Sequence, residues 1–342
     1  MFNFQDRYNK QIAFWLFVCA TVILTMILLG GVTRLTHSGL SMVEWQPLIG
    51  IIPPLNEADW QQAFHKYQQF PEYQKINHGM DLEGFKMIFM YEYLHRLLGR
   101  FIGVLFLLPL LFFYFCHRIP KGLTHKLVII FLLGGLQGLL GWYMVKSGLV
   151  DQPDVSHFRL AAHLTTAFIT FAYTFWVALD LIFPERKKIN IKFRNLIRMG
   201  YAVLLLQIIY GAFVAGLDAG FIHNHWPMMS EGKFIHETVW IEQSPVYKNF
   251  IEGKSGVQFV HRTLAYVVVI FIFIIWYRSR KMQLTTHQTK GVNFLLAMVG
   301  VQFILGVLTI IYQVPVWLGV THQVGAFFLL SAMTFTLHRF SK

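Results

Sequence analysis

The sequence predicts an all-α polytopic membrane protein with eight transmembrane helices, and two observations carry this prediction. Hydrophobic residues make up 55% of the 342 residues and charged residues only 13%, whereas a soluble domain has about 25% charged residues. Apolar runs also recur at about the twenty-residue length that crosses a bilayer. The composition therefore excludes an ordinary soluble enzyme, a disordered chain and a secreted disulfide scaffold.

The apolar runs, taken in order, occupy roughly 11–33, 88–116, 124–145, 159–183, 196–217, 257–277, 291–312 and 316–338. The first run is long enough to span a bilayer, and no small-residue cleavage site follows it, so it is predicted to stay as a span. No Arg-rich transit segment precedes it, which favours a bacterial plasma membrane. Cys19 and Cys116 are the two cysteines, and they form no paired-cysteine motif.

An even number of spans places both termini on one side of the membrane. The short loops of that side hold most of the basic residues: Arg7, Lys10, Arg118, Lys121, Lys126, Arg186, Lys187, Lys188, Lys192, Arg194, Arg198, Arg278, Arg280, Lys281, Lys290, Arg339 and Lys342. Asp6, Asp180 and Glu185 are the acids there. Because short cytoplasmic loops are rich in Lys and Arg, both termini are predicted to be cytoplasmic and the long loops 34–87 and 218–256 to face outward. The net charge of +12 then reflects orientation in a lipid bilayer and not nucleic-acid binding.

Three sequence matches in the same order predict an internal repeat. The segment EYLHRLL, from residue 92, matches QFVHRTL, from residue 258. The segment QGLLG, from residue 137, matches QFILG, from residue 302. The pattern His-x-x-x-Ala-Phe begins at residue 163 and again at residue 322. Each half then has four helices, so both halves share one orientation and form a parallel repeat about an axis along the membrane normal. We therefore expect two pseudo-symmetric four-helix bundles, 1–190 with outer loop 34–87 and 191–342 with outer loop 218–256.

Four of the 15 histidines stand apart: His95, His163, His261 and His322. Each lies in the first turns of an even-numbered span, so all four share one depth toward the outer side. A lone intramembrane histidine usually makes a hydrogen bond between helices. Two histidine pairs at repeat-related positions instead favour haem binding, because six-coordinate haem iron requires two facing imidazoles. Zinc would need further ligands. The other histidines are predicted to be solvated loop or interfacial residues.

Residues beside these histidines are consistent with a haem site, but each also has a structural interpretation. Arg96 and Arg262 each follow a candidate ligand and suit either pairing with haem propionates or snorkelling to the interface. Gly99 and Gly103 lie on the face of His95, where they leave room for a macrocycle or for helix packing.

One asymmetry separates the two halves. Glu92 lies three residues before His95, on the same helix face, and its counterpart before His261 is Gln258. A carboxylate near a haem edge can accept a proton or stabilise positive charge, which an amide does less well. The N-terminal half is therefore interpreted as the reacting site and the C-terminal half as the site of a permanent cofactor. The alternative is that Glu92 is an interfacial residue that faces solvent.

Several long segments resemble the haem A synthase family in its mitochondrial and proteobacterial form, over nearly the whole chain. They are GGVTRLTHSGLSMVEWQPLIGIIPP (30–54), PEYQKINHGMDLEGFK (71–86), EYLHRLLGR (92–100), VSHFRLAAHL (155–164), QIIYGAFVAGLDAG (207–220), HWPMM (225–229), VQFVHR and THQVGAF. Some bacterial members carry a cysteine pair in the first outer loop. This sequence has none there, so a redox role for such a pair does not apply.

The resemblance implies oxidation of the C8 methyl group of haem O to the formyl group of haem A. It implies haem b as a cofactor between His261 and His322, and haem O as substrate near His95 and His163 with Glu92 as the acidic residue. It also implies an electron acceptor, which the sequence does not identify. By pathway alone, haem O synthase is a candidate partner, and a homo-oligomer is a candidate assembly.

Two rival functions remain open at this point. An electron carrier of the cytochrome b class would need histidine ligands at both membrane depths, whereas all four candidates lie near one surface. A transporter also uses repeats, but it should have interrupted helices and polar groups near the bilayer midplane, where these spans have few charges.

Overall fold

The computed structural model describes residues 4–44, 51–149, 154–184 and 190–341. Within these ranges the protein is all-α, and eight helices are long and apolar enough to cross a membrane, which confirms the predicted fold class. These spans are α1 (Phe4–Leu35), α4 (Leu82–Phe115), α5 (Thr124–Gly148), α6 (His157–Ile182), α7 (Ile191–Gly216), α9 (Lys254–Ser279), α10 (Thr286–Ile311) and α11 (Val316–Arg339). The short helices α2 (Glu57–Tyr67), α3 (Pro71–Lys75) and α8 (Thr238–Ile241) lie between spans.

Helix α4 begins at Leu82, before the predicted start at residue 88, because Asp81 caps it. The Asp81 carboxylate accepts a hydrogen bond from the backbone N–H of Gly84 at 2.8 Å, as a favourable N-cap does. His95 consequently lies several turns into its helix, whereas His163, His261 and His322 lie within the first two turns or so of theirs. The extra turns of α4 carry its outward end into the outer loop.

The outer loop 34–87 is more ordered than the sequence pattern indicated, since it contains α2 and α3. Their aromatic side chains form one cluster with the start of α4, and its buried members include Phe64, Tyr67, Phe85 and Phe89. This cluster anchors the outer segment on the end of α4. The segment therefore lies directly over the helix that carries Glu92 and His95.

The spans differ in how much of their surface is buried. Helices α1, α6 and α11 are the most buried, and α4 and α5 the least. Large apolar side chains such as Leu108, Leu132 and Leu139 project outward from α4 and α5, as expected where lipid and not water surrounds the protein. A single core of residues from α1, α6, α7, α9, α10 and α11 joins the two halves.

The neighbour relations within the two halves correspond. Helix α1 packs on α4, α4 on α5 and α5 on α6; likewise α7 packs on α9, α9 on α10 and α10 on α11. These matched neighbours support the repeat that the sequence predicts.

The basic side of the molecule is only partly described. Glu185, Arg186, Lys187, Lys188 and Lys342 lie outside the described residues, as do residues 45–50 of the first outer loop. Where the structure describes this side, the Asp180 carboxylate on α6 accepts a hydrogen bond from Lys126 at 2.8 Å and contacts His338 Nε2 at 3.2 Å. Helices α5, α6 and α11 are thereby tied together at this end.

Candidate functional site

The four candidate histidines lie on corresponding helices of the two halves. His95 and His163 lie on α4 and α6, and His261 and His322 on α9 and α11. Within each pair the imidazoles are close enough to interact electrostatically. All four side chains are partly buried. The structure therefore brings the predicted residues together as two pairs.

Each imidazole faces a glycine on the preceding transmembrane span: α1 for α4, α5 for α6, α7 for α9 and α10 for α11. In the N-terminal half, a Cβ at Gly30 would lie 3.2 Å from Cε1 of His95, and a Cβ at Gly141 would lie 3.3 Å from Cε1 of His163. In the C-terminal half, a Cβ at Gly211 would lie 3.2 Å from Cε1 of His261, and a Cβ at Gly306 would lie 2.9 Å from Cε1 of His322. Contacts this short mean that the imidazole would have to shift to admit even a Cβ. The four glycines therefore let the rings lie against the neighbouring backbone.

A cavity of about 240 Å³ lies between the histidines of the C-terminal half. His261, Arg262 and His322 line it, and apolar side chains form most of its wall. Arg34 of the N-terminal half also lines this cavity. Its guanidinium donates to the carboxylate of Asp218 at 2.9 Å and to the carbonyl of Ala215 at 2.8 Å.

Glu92 is buried, with only 3% of its surface exposed, so it is not a solvent-facing interfacial residue. One carboxylate oxygen accepts from the hydroxyl of Ser41 and from the backbone N–H of Met42, both at 2.7 Å. The other accepts from Arg96 at 2.5 Å. Glu92 therefore connects the helix of His95 to the segment that follows α1.

Gln258, the counterpart of Glu92, also binds its outer loop, but it donates hydrogen bonds where Glu92 accepts them. It is 1% exposed, and its amide nitrogen donates to the carbonyls of Ala219 at 3.0 Å and His223 at 3.3 Å. Glutamate accepts from loop donors in one half, whereas glutamine donates to loop acceptors in the other. The difference between Glu92 and Gln258 is thus a difference in how each half binds its outer loop.

The two arginines also bind their outer loops. Arg96 donates to the carbonyls of Met42 at 2.9 Å and Glu44 at 3.3 Å. Arg262 Nη2 donates to three loop carbonyls within 3.1 Å, those of His225, Pro227 and Met228. This loop binding was not among the two predicted roles, propionate pairing and snorkelling. The other terminal nitrogen of Arg262, Nη1, is buried without a hydrogen-bond partner.

The residues present fit a haem, as three features of the described chain indicate. Nδ1 of His95 and of His261 is buried without a hydrogen-bond partner, and each pair faces two glycines. Arg262 Nη1 is a buried donor beside the cavity, suited to an anionic propionate. No cluster of three or more His, Cys, Asp or Glu side chains that could hold a bare metal ion occurs among the described residues.

Two outer-loop histidines that were predicted to be solvated are packed instead. His223 is buried, its Nε2 lies 3.0 Å from the hydroxyl of Ser255, and its ring centroid lies 4.9 Å from that of His236. Burial, with the neighbouring His236 and Arg262, lowers the pKa of His223. The aromatic and polar packing of this loop was not visible in its irregular sequence pattern.

Sequence reasoning missed the residues that face the imidazoles. Gly30, Gly141, Gly211 and Gly306 had no assigned role, although QGLLG and QFILG were recognised as a repeat. The segment QIIYG at 207–211 has the same Gln-x-x-x-Gly spacing. The segment MILLG at 26–30 has a glycine at the corresponding final position. This recurring spacing before each histidine helix is the signal that could have found them.

Comparison with known proteins gives a consistent result over the full length of the chain. The model of the cytochrome oxidase assembly protein family COX15-CtaA matches residues 13–334. A protein of Flavobacterium johnsoniae named haem A synthase is 54% identical over 340 residues, covering 98% of this chain and 99% of that protein. The haem A synthases of Flavobacterium psychrophilum and Nitrosospira multiformis are 52% and 47% identical, covering 98% and 96% of this chain and 100% and 93% of theirs. The chain therefore belongs to the COX15-CtaA family of cytochrome oxidase assembly proteins.

Proposed function

We propose that this membrane protein is a haem A synthase, an oxidoreductase that converts the C8 methyl group of haem O into the formyl group of haem A. The observation that carries the proposal is the 54% identity to a haem A synthase over nearly both full lengths. The conversion of methyl to formyl adds one oxygen atom from an oxygen donor. With water as that donor, four electrons and four protons leave, so an electron acceptor is required.

We propose further that the C-terminal unit, 191–342, holds haem b as a resident cofactor. His261 and His322 would hold its iron, and Arg262 would bind a propionate. The cavity between these residues and the buried free Nη1 of Arg262 support this assignment. Bound there, haem b would supply a one-electron redox centre.

The N-terminal unit, 1–190, is the proposed substrate site, with His95 and His163 as ligands of the haem O iron. Glu92 lies one helical turn before His95, and acts there as a proton acceptor or stabilises positive charge at the reacting carbon. Arg96 holds the Glu92 carboxylate and the outer segment in one arrangement. A pocket within the membrane lets the farnesyl tail of haem O arrive from the lipid.

The proposed location is a bacterial plasma membrane, with both termini cytoplasmic and the histidine pairs toward the outer side. The basic short loops support this orientation. Because all four histidines lie toward the ends that carry the long loops, a chain of haems across the bilayer is not supported. The electron acceptor is an unidentified partner, and haem O synthase and a second copy of this chain are further candidate partners.

The test of this function is the haem product of the wild type and of Glu92→Gln, each co-expressed with a source of haem O. Wild type should yield haem b together with haem A or its hydroxylated precursor. Glu92→Gln should keep haem b and lose formyl production by about 100-fold or more, the usual effect of removing an acid–base group. Glu83→Gln, at an exposed carboxylate on the same helix, is the control and should leave formyl production unchanged.

Two results would contradict the proposal. Haem b without any modified haem in the wild type, despite available haem O, would indicate an electron carrier. Full haem A production by Glu92→Gln would remove the role of Glu92 in the reaction.

A further inference from the structure

One position of the repeated segments QGLLG and QFILG holds glycine in the N-terminal half and phenylalanine in the C-terminal half. Gly138 on α5 thus corresponds to Phe303 on α10. The contacts of the two helices support this register. Gly141 and Gly306, three residues later in each segment, both face the imidazole carried by the following span.

In the C-terminal half, Phe303 belongs to an aromatic plug that it forms with Tyr266 of α9 and Trp226 of the outer loop. The Phe303 ring centroid lies 5.3 Å from that of Tyr266 and 6.3 Å from that of Trp226, and both distances are typical of aromatic pairs. The indole N–H of Trp226 donates to the Tyr266 hydroxyl at 3.1 Å. Rings from two helices and one loop are therefore held against one another.

The aromatic plug forms part of the boundary of the C-terminal cavity. All three of its side chains line the cavity, and those of Trp226 and Tyr266 also belong to residues that are 43% and 36% exposed at the protein surface. The plug therefore lies between the cavity and the surroundings of the protein, where α9 and α10 are neighbours. Val269 of α9 and Val299 of α10 also line the cavity.

The N-terminal half lacks these side chains between the corresponding helices, α4 and α5. The counterparts of Tyr266, Val269, Val299 and Phe303 are, in the same order, Arg100, Gly103, Gly134 and Gly138. All three glycines are exposed, and nothing lies within 4 Å of a Cβ at any of them. Helices α4 and α5 are also the least buried spans. An open, lipid-facing gap therefore replaces the aromatic plug in this half.

We infer, on the basis of the proposed function, that the aromatic plug and its glycine counterparts determine which haem each half accepts. Haem O carries a long farnesyl tail at a ring position where haem b carries a vinyl group. In the C-terminal half, Phe303 and its two aromatic neighbours close the side through which such a tail would leave the cavity. In the N-terminal half, Gly138 leaves that side open, so the tail can extend into the apolar core of the bilayer.

The experiment introduces Phe303→Gly into a His95→Ala/His163→Ala background, so that bound haem reports the C-terminal half. The proteins are co-expressed with a source of haem O, and the extracted haems are separated by chromatography and identified by mass. Phe303→Gly should bind severalfold more haem O than the background protein does, at the expense of haem b. Ile304→Gly is the matched control and should behave as the background, because Ile304 is the next residue, is 58% exposed and lies outside the cavity wall.

The reverse change, Gly138→Phe in the otherwise unchanged chain, tests the N-terminal half independently. Overfilling a site typically lowers binding about 10-fold. The content of haem O and its oxidised products should therefore fall by about that factor in Gly138→Phe, whereas the content of haem b should stay the same. Leu139→Phe changes the neighbouring position, which is 58% exposed, and should behave as wild type.

Two results would overturn the inference: haem b without haem O in Phe303→Gly, and undiminished haem O and products in Gly138→Phe. If Phe303→Gly binds no haem of either kind, Gly138→Phe still gives the answer. A background protein that binds no haem b would instead refute the proposed function, so the two failures are distinguishable.

Discussion

At the scale of single residues, the candidate site is built by side chains that bind loops as well as by the histidines. Glu92 and Arg96 hold the segment after α1, and Gln258 and Arg262 hold the segment after α7. Helices α4 and α9, which carry His95 and His261, are thereby fixed to these segments. Removing one of these residues should disturb loop position as well as charge.

A buried carboxyl group in the outer segment predicts a pH dependence of stability. Glu72 on α3 is 4% exposed and accepts a hydrogen bond from the Tyr67 hydroxyl at 3.1 Å. Burial raises the pKa of Glu72 from 4.5 to about 8. Between these values the folded protein binds a proton that the unfolded chain does not, so stability falls as pH rises through this window.

Glu72→Gln should remove much of this dependence, because the amide is neutral at every pH and can still accept from Tyr67. Thermal unfolding in detergent at pH 5.5 and pH 8.5 checks the prediction. The midpoint should fall less in Glu72→Gln than in wild type, and the exposed Glu83→Gln should behave as wild type. An equal fall in Glu72→Gln and wild type would assign the dependence to other groups.

The histidines and Glu92 could be predicted from the sequence because polar residues inside apolar spans are costly and therefore conspicuous. The loop contacts of Arg96 and Arg262 could not, since both join residues more than thirty positions apart through backbone carbonyls. A carbonyl acceptor leaves no trace in side-chain identity. The buried state of Glu72 was hidden for a similar reason, because it depends on how α2 and α3 fold onto α4.

At the scale of elements, the close approach of α10 to α11 depends on Gly306. A Cβ there would lie 2.9 Å from Cε1 of His322, whereas nothing lies within 4 Å of a Cβ at Gly300 on the same helix. Gly306→Leu should therefore displace the His322 ring and deplete haem b severalfold. Gly300→Leu should retain it.

Haem b per purified protein, measured by the pyridine haemochrome spectrum, distinguishes the two variants. Equal haem b in both would mean that the His322 ring tolerates the side chain and that the glycine contact is unimportant. Loss in both would indicate a general effect of bulk on α10.

The sequence predicts the existence of the transmembrane helices better than it predicts the residues at which they begin and end. All eight spans follow from hydropathy, since each needs about twenty apolar residues. The early start of α4 and the helices α2 and α3 depend on caps and aromatic packing in polar sequence, which a hydropathy pattern does not detect. The cap at Asp81 is a local signal that could have corrected the start of α4.

At the scale of the whole molecule, the two halves share one core, and the N-terminal half contributes residues to the cavity of the C-terminal half. Arg34 on α1 lines the cavity of the other half and is paired there with Asp218. A change in the N-terminal half should therefore alter binding of the haem b proposed for the C-terminal half.

Arg34→Leu should lower haem b retention severalfold, because a cation and a wall residue of the cavity are both lost. Asp218→Asn should lower it less, and the double variant should lose no more than Arg34→Leu alone, since coupled residues are not additive. Haem b transfer to apomyoglobin measures all three. Additive losses would show that Asp218 does not act through Arg34.

Matched motifs that recur in order predict a parallel repeat, but they do not predict how the two halves are joined. The contacts of Arg34 with Asp218 and of Gln323 with the carbonyl of Ile27 link residues more than 180 positions apart. A repeat predicts similar units and says nothing about which side chains cross between them.

Haem analysis of single histidine variants tests whether the two similar histidine pairs have different roles. His95→Ala, His261→Ala and His322→Ala are each co-expressed with a source of haem O, and the extracted haems are separated and identified by mass. We expect His261→Ala and His322→Ala to lose haem b, whereas His95→Ala should keep haem b and yield no haem A. Equal depletion of haem b by all three variants would contradict this expectation.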